Sequence, residues 1–257
     1  MTADCVTMWI GERLGPIERA CLKSMLRQGH SVALYCYGRA PAGVPKGVEV
    51  LDASPILPLS KIPASWSKRS DLYSDWFRYE IQKRELGTWL DLDVYLVAPL
   101  DLGQASLFGE YERGKVNGAV LRLPPDSPLL APLLDQFRGN GVPKSLSMVR
   151  RLEVRARHLW NRKTDLAHTP WGTTGPYALT AFSRRLGMMG QALPKDVFYP
   201  VEWRKAHWIC DPAIKVEDVT TDRTVAIHLW NEVIRKVKAE PAAEGSFLAQ
   251  LQKEGRY

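Results

Sequence analysis

The sequence lacks the cysteine spacing of a zinc site or disulfide framework, and it has no apolar run long enough to cross a membrane. Its four cysteines form no Cys-x-x-Cys pair, and three lie in apolar runs, which predicts buried thiols. No run approaches the roughly 18 apolar residues of a membrane span. The first residues lack a basic region followed by an apolar one, so we expect no signal peptide and a cytoplasmic protein.

Composition excludes disordered and fibrous chains. The 257 residues are 45% hydrophobic and 25% charged, as in a soluble protein with one large α/β domain or a domain with an insertion. The net charge of +7 predicts anionic partners such as nucleotides, phosphates or a membrane face. Nucleic acid is not expected, because no recognised binding motif accompanies the charge. The nine tryptophans fit either core packing or a cleft for a sugar or nucleobase.

The hydrophobic pattern predicts a parallel sheet at the start of the chain. Three apolar runs read as strands, and Pro16 opens a helix that Gly29 closes. This β-α-β order implies a right-handed crossover between parallel strands. The predicted strands are 6–10, 31–37 and 48–51, with the helix at 16–28.

Further elements are predicted along the rest of the chain. Ser67 or Ser70 is expected to cap a helix that runs to about residue 86. A strand follows from residue 88. Later strands are expected at 116–123, 197–201 and 225–230, and later helices at 129–138, 144–163 and 177–186.

The predicted helix at 144–163 is strongly basic. It carries one Glu against seven basic residues: Lys144, Arg150, Arg151, Arg155, Arg157, Arg162 and Lys163. This composition fits a solvated helix face. It also fits an acceptor-binding or membrane-surface patch, because lipid-linked and phosphorylated acceptors are anionic.

Two carboxylates interrupt the apolar run at 88–99. Asp91 and Asp93 are two residues apart, so in a regular strand both would point to the same side. Like charges this close repel each other unless a cation lies between them, and their oxygens suit Mg²⁺ or Mn²⁺. A solvated edge strand or turn is the alternative.

The Asp75 and Arg78 pair and His228 can likewise be interpreted either as structural or as functional residues. Asp75 and Arg78 lie one helical turn apart, which fits a surface ion pair or recognition of sugar hydroxyls. His228 ends an apolar strand, where histidine is more commonly a packed, hydrogen-bonded residue than a ligand. Its imidazole could instead complete a metal shell with Asp91 and Asp93.

Taken in order, these groups resemble the DXD-containing glycosyltransferases. The similar enzymes are family 32-like and α-1,4-galactosyltransferase-like, and they are distantly similar to the clostridial glucosylating toxins. The resemblance spans about residues 6 to 235. The family usually has Gly-Gly before the Asp-x-Asp strand, where this chain has Leu86-Gly87-Thr88-Trp89. The segments that carry the resemblance are Trp9 with Gly11, Ser74-Asp75-x-x-Arg78-Tyr79, Leu90-Asp91-x-Asp93-Val94-Tyr95, Thr174-Gly175-Pro176 and His228-Leu-Trp230-Asn231.

The resemblance implies a GT-A fold, a nucleotide-sugar donor (usually a UDP-sugar), Mn²⁺ or Mg²⁺, and retention of anomeric configuration. It also implies a role for each matching residue. Trp9, with Gly11, would lie at the nucleobase, and Asp91 would lie at the ribose and sugar. Asp93 would bind the metal, His228 would bind the metal or diphosphate, and Asn231 would lie close to the phosphates. The donor sugar would contact Asp75 and Arg78, and the cleft near it would be lined by Thr174, Gly175 and Pro176.

We therefore expect a metal-dependent, retaining hexosyltransferase acting on a glycan or lipid-linked acceptor of bacterial type, with catalytic residues Asp75, Arg78, Asp91 and Asp93. No nucleophile stands out, which favours same-face attack. The alternatives are a nucleotide-sugar hydrolase and a catalytically dead GT-A scaffold. One GT-A domain is expected at 1–238, a mostly parallel Rossmann-like sheet flanked by helices. Its acceptor side is expected at 144–190, followed by a tail at 239–257, with peripheral contact at the inner membrane face through 144–163.

Overall fold

The computed structural model describes residues 2–138, 142–161 and 165–256, and it has the predicted α/β architecture. In this part of the chain a six-stranded sheet has the order β3-β2-β1-β4-β7-β6, and β5 pairs separately with β8. The strands are β1 (Cys5–Met8), β2 (Val32–Cys36), β3 (Val48–Asp52), β4 (Thr88–Leu90), β5 (Val94–Leu96), β6 (Leu107–Glu112), β7 (Lys115–Arg122) and β8 (Ala226–His228).

Helices flank this sheet. Short 3₁₀ turns connect several of them. None of the described helices is both long enough and apolar enough to cross a membrane. The helices are α1 (Pro16–Arg27), α2 (Ser70–Lys83), α3 (Leu130–Asp135), α4 (Met148–Asn161), α5 (Pro176–Arg185), α6 (Lys195–Phe198), α7 (Val216–Val219), α8 (Asn231–Ile234) and α9 (Phe247–Glu254). Of these, α1, α2, α5 and α6 contact strands of the sheet.

The mostly parallel arrangement of the sheet is confirmed. Strands β1 to β4 pair in parallel, and β7 adds to β4 in the antiparallel direction. Helix α1 begins at Pro16, as predicted, and buries Ile17, Leu22 and Met25. This is the layered arrangement expected of a GT-A fold, with the carboxyl ends of the parallel strands at one edge.

A tight turn at Gly87 delivers the chain from α2 into β4. Gly87 has a φ of +132°, and a Cβ there would lie 2.4 Å from the Ala3 carbonyl oxygen and 2.9 Å from Val6 Cγ1. Only glycine fits this approach to the strand beside it. The predicted serine cap of α2 is wrong: Ser70 is the first helical residue, Arg69 is at the N-cap, and no side chain caps this end.

One predicted strand is wrong, and one strand was missed. The strand expected at 197–201 is instead the end of α6 followed by irregular chain. Its apolar residues Phe198 and Tyr199 are buried against the sheet rather than paired within it, so burial alone gave a strand-like pattern. Strand β6, which was not predicted, forms a hairpin with β7 through Gly114.

The basic stretch and the chain end also form helices. Helix α4 covers Met148–Asn161 of the stretch predicted to be helical, while residues 162 and 163 lie outside the described residues. The segment at 239–257 carries α9, whose Phe247, Leu248 and Leu251 are buried beside α1. Residues near the end of the chain therefore contribute to the same core as the first helix.

Truncating Leu251, which is fully buried, tests this contribution. We expect Leu251→Ala to lower the free energy of unfolding by about 3 kcal/mol, because a large side chain leaves a closely packed site. Urea unfolding measures the change. Gln250→Ala on the exposed side of α9 is the matched control and should cost less than about 0.5 kcal/mol. Equal, small effects of both variants would show that α9 is not part of the cooperative core.

Candidate active site

The two aspartates lie where the chain leaves the central sheet. Strand β4 ends at Leu90, and Asp91, Leu92 and Asp93 form a turn into β5. The Asp91 N–H donates to the Ala119 carbonyl at 2.8 Å, and the Val94 N–H donates to the Asp91 carbonyl at 3.0 Å. The carboxylates therefore stand at the carboxyl edge of the parallel strands, the position at which open α/β sheets bind ligands.

His228 joins the two aspartates because β8 pairs with β5. In that antiparallel pair Val94 stands opposite His228. Asp91, Asp93 and His228 can each offer one ligand atom, with all three atoms within 4.8 Å of one another. The structure thus brings together the three residues that were predicted to form a metal set.

Asp93 is held as a carboxylate by its neighbours. Its Oδ2 lies 3.3 Å from His228 Nε2 and accepts a hydrogen bond from the Asn231 N–H at 2.8 Å. Burial alone would raise the pKa of Asp93, but the charge and hydrogen bond of His228 and the Asn231 N–H together lower it to about 2. Asp93 is therefore ionised at neutral pH before any cation binds.

A strained residue aims the Asn231 N–H at Asp93. Trp230 lies in the left-handed region, with φ 56° and ψ 55°, which is costly for a residue with a bulky side chain. Its indole Nε1 donates to the Val201 carbonyl at 2.9 Å, and its ring lies 4.2 Å from the His228 ring, centroid to centroid. These contacts hold the conformation that orients both His228 and Asn231.

Asp91 belongs to a second group of polar contacts. Its Oδ1 accepts a hydrogen bond from Trp89 Nε1 at 2.7 Å and lies 3.0 Å from an Arg78 guanidinium nitrogen. Burial raises the pKa of Asp91, and the positive charge of Arg78 opposes that rise. The Asp91 side chain is 24% exposed and that of Asp93 is 15% exposed, so both remain within reach of a ligand.

Arg78 connects α2 to the sheet. Its guanidinium donates to the Gly118 carbonyl at 2.8 Å and to Ser74 Oγ at 3.0 Å, and it lies over the Trp89 ring at 5.2 Å. Because this side chain is buried, its charge is satisfied by protein groups around it, Asp91 first among them. In this position Arg78 fixes the Asp91 carboxylate.

Asp75 connects α2 to the loop before α5. Its Oδ2 accepts a hydrogen bond from Thr174 Oγ1 at 2.7 Å, and its Oδ1 lies 3.5 Å from Arg78. Burial raises the pKa of Asp75 to about 6, although Arg78 and Thr174 favour its ionised form. A Cβ on Gly175 would lie 2.7 Å from Asp75 Oδ1, so this loop can approach the carboxylate only with glycine there.

The remaining predicted residues lie around this edge. Trp9 directly follows β1, and a Cβ on Gly11 would lie 3.0 Å from Trp9 Nε1, so these two are in contact. Trp9 Nε1 is buried without a hydrogen-bond partner among the described residues. Pro176 is the first residue of α5. Their roles toward the nucleobase and sugar stay predictions.

Several residues that shape the site were not singled out from sequence. Trp89 and Ser74 bind Asp91 and Arg78, and Lys238 Nζ donates to Asn231 Oδ1 at 2.6 Å and pairs with Glu18. Trp89 and Ser74 carried local signals. Trp89 is two positions before Asp91, on the same side of a strand, and Ser74 is one helical turn before Arg78. The Lys238 contacts depend on a fold that joins positions far apart in the chain.

The donor set fits a divalent cation. Two carboxylates and an imidazole suit Mn²⁺, whereas Mg²⁺ favours oxygen ligands throughout. His228 Nε2 faces Asp93, and His228 Nδ1 is buried and has no hydrogen-bond partner within the described ranges, so the ring keeps an unused polar atom. The residues present therefore match the predicted cofactor in chemistry.

Comparison with known families bears directly on this site. Residues 166–254 match the family model of the α-1,4-glycosyltransferase conserved region. The resemblance to α-1,4-glycosyltransferase-like enzymes is confirmed. The matched segment includes the Thr174-Gly175-Pro176 loop, His228 and Asn231, whereas Asp91 and Asp93 precede it. In the structure these carboxylates nevertheless meet His228 and Asn231.

Comparisons with curated proteins and with solved structures gave the following results. No curated protein matched the chain. Among solved structures, the chain is similar to the PaToxG glycosyltransferase with a TM-score of 0.41 and 11% sequence identity, covering 72% of this chain and 71% of that one.

The raised pKa of Asp75 predicts a pH-dependent stability. Between its usual pKa of 3.8 and the folded value of about 6, the folded state keeps a proton that the unfolded state releases. Stability should therefore fall as pH rises through this window, by up to about 3 kcal/mol from this group. Asp75→Asn should remove that fall. Urea unfolding from pH 4 to 7 with chelator present measures both proteins.

Asp126, an exposed carboxylate, supplies the control for this measurement. Asp126→Asn should keep the fall in stability with pH, because it removes an exposed carboxylate and leaves Asp75 in place. Parallel profiles for wild type and Asp75→Asn would mean that Asp75 is ionised throughout, contrary to the expectation.

Proposed function

We propose that this protein is a metal-dependent, retaining glycosyltransferase that moves a hexose from a nucleotide sugar, in the first instance a UDP-sugar, to an acceptor. The observation that carries the proposal is the meeting of Asp91 and Asp93 with His228 and Asn231 at the sheet edge. His228 and Asn231 lie inside the matched α-1,4-glycosyltransferase region, and Asp91 and Asp93 lie outside it. Glycosyl transfer is the activity that this match supports.

Asp91, Asp93 and His228 would hold the cation. The chemistry supplied there is Lewis-acid neutralisation of the charge that develops on the leaving nucleoside diphosphate. Asp93 enters this role already ionised, with His228 and the Asn231 N–H fixing its Oδ2. Mn²⁺ is the cation we favour, because one of the three ligands is an imidazole.

The Asp75 and Arg78 group would position the donor. Arg78 fixes Asp91 at 3.0 Å, so the carboxylate assigned to the ribose and sugar cannot rotate freely. Asp75 holds the Thr174 hydroxyl at 2.7 Å, and Gly175 lies against the same carboxylate. This pairing keeps the loop before α5 beside the sheet edge, where it would line the cleft near the sugar. Fixed placement of donor groups lowers the entropic part of the barrier.

Retention follows from same-face attack in this proposal. A double displacement would need a carboxylate free to attack the anomeric carbon. Asp75 is hydrogen-bonded to Thr174, Asp91 is bound to Arg78 and Trp89, and Asp93 is bound to His228. Each carboxylate of the site is thus already bound by other protein groups, which leaves the acceptor hydroxyl as the attacking group.

Removing Asp93 tests the metal assignment. With UDP-sugars and Mn²⁺ we expect release of UDP that EDTA abolishes. Asp93→Ala should lower this release by at least about 100-fold, because a ligand that stabilises the departing diphosphate is lost. UDP is measured by a coupled assay, and Mn²⁺ binding by calorimetry. Unchanged activity in Asp93→Ala would refute the role given to this residue.

Asp101, an exposed aspartate, provides the matched control. Asp101→Ala should keep both Mn²⁺ binding and UDP release, which separates a site effect from general loss of a negative charge. Far-UV circular dichroism of both variants checks that the fold is intact.

The same assay distinguishes the alternative functions. Faster UDP release on addition of an acceptor, with sugar recovered on that acceptor, indicates a transferase. Release that no acceptor changes, with free sugar as product, indicates a nucleotide-sugar hydrolase. Binding of UDP-sugar and Mn²⁺ without turnover indicates a catalytically dead scaffold. Failure to bind any nucleotide sugar would overturn the proposal.

A further inference from the structure

Helix α4 exposes apolar side chains to an unusual degree. It has 14 residues, and none of those with a described side chain is buried. Burial of apolar surface is the main stabilising contribution of most helices, so a helix with its apolar residues in water indicates a missing partner. Its large exposed apolar residues are Met148 at 77%, Val149 at 67%, Leu152 at 58% and Trp160 at 90%.

These residues form one face of α4. An α-helix turns about 100° per residue, which places these four residues and Ala156 within an arc of about 120°, whereas the half-buried Val154 lies outside it. The positions that share this face are Met148, Val149, Leu152, Ala156 and Trp160. The pattern is that of an amphipathic helix, but the apolar side faces solvent instead of the core.

The charges beside this face are mainly positive. Arg151 and Arg155 border the Met148 edge, and Lys144 is exposed just before the helix. Glu153 borders the opposite edge, next to Trp160. Arginine stems can lie along an apolar layer while the guanidinium groups reach anionic headgroups, and tryptophan favours the same boundary. An apolar strip with basic flanks is typical of helices that lie in the interface of a bilayer.

The ends of α4 are attached to the domain. Before the helix, the Lys144 carbonyl accepts a hydrogen bond from Arg185 at 2.6 Å, and Leu146 is buried. After it, Asp165 accepts a hydrogen bond from Trp66 Nε1 at 2.5 Å. Thr174, which binds Asp75, follows nine residues later in the chain.

We propose that α4 is a membrane-surface helix that inserts its apolar face into the interface of an anionic bilayer. A second copy of the chain fits less well, because both copies would bring the same basic flank into contact and each carries a net charge of +7. An anionic lipid surface complements both the apolar and the basic parts of the helix. This inference does not depend on the proposed transfer activity, because lipid binding is measured separately.

Vesicle co-sedimentation tests the inference. The full-length protein is mixed with vesicles of phosphatidylcholine alone or with added phosphatidylglycerol. We expect binding to the anionic vesicles that weakens with salt, and little binding to the neutral ones. Leu152→Glu should lower the partition coefficient at least about tenfold, since it places a charge in the apolar face. Glu153→Gln should raise it.

Leu59 provides the matched control, since it is 54% exposed on a different segment. Leu59→Glu should bind vesicles as the wild type does. Equal binding by wild type and Leu152→Glu, or no binding of the wild type to anionic vesicles, would overturn the proposal. A wild-type dimer that Leu152→Glu converts to a monomer in light scattering would assign the face to self-association and overturn it as well. Circular dichroism confirms that each variant is folded.

Discussion

The buried guanidinium of Arg78 is the contact on which the rest of the site depends. It binds the Gly118 carbonyl in β7, Ser74 in its own helix and Asp91 at the end of β4. A buried cation is tolerated only when its charge and its hydrogen bonds are satisfied, so these groups are constrained together. Removing this charge would leave the half-buried Asp91 carboxylate without its ion pair. The Asp91 carboxylate is thus positioned by α2 as well as by Trp89 of the strand before it.

A second constraint joins the early and late parts of the chain. Strand β8 pairs with β5, and this places His228 and the strained Trp230 beside Asp93. The region matched by the α-1,4-glycosyltransferase model ends at residue 254, within α9. Since α9 is buried beside α1, the matched region and the N-terminal β-α-β unit share one core. The three-ligand cluster needs Asp91 and Asp93, which precede the matched region, together with His228, which lies inside it.

The sequence predicted the β-α-β opening, the helix before the Asp-x-Asp turn and the cluster of Asp91, Asp93 and His228. The β-α-β opening and the helix held because they rest on local patterns. Asp91, Asp93 and His228 meet because β8 pairs antiparallel with β5, so that the end of β8 lies beside the start of β5. The strand at 197–201 failed because buried residues such as Tyr199 show the same apolar pattern whether they pair or only pack. The Arg78–Gly118 hydrogen bond and the Lys238–Glu18 ion pair could not be predicted, since residues far apart in sequence make them.

Asp75 and Asp93, which lie in different parts of the site, differ in the protonation state that their surroundings favour. Burial favours the neutral form of Asp75, whereas His228 and the Asn231 N–H favour the ionised form of Asp93. Because the ionised form is favoured at Asp93 and the neutral form at Asp75, the two carboxylates suit different partners. In the function proposed above, Asp93 would hold a cation together with Asp91 and His228, which lie within reach of it. Asp75, paired with Thr174 and Arg78, would lie beside the uncharged sugar.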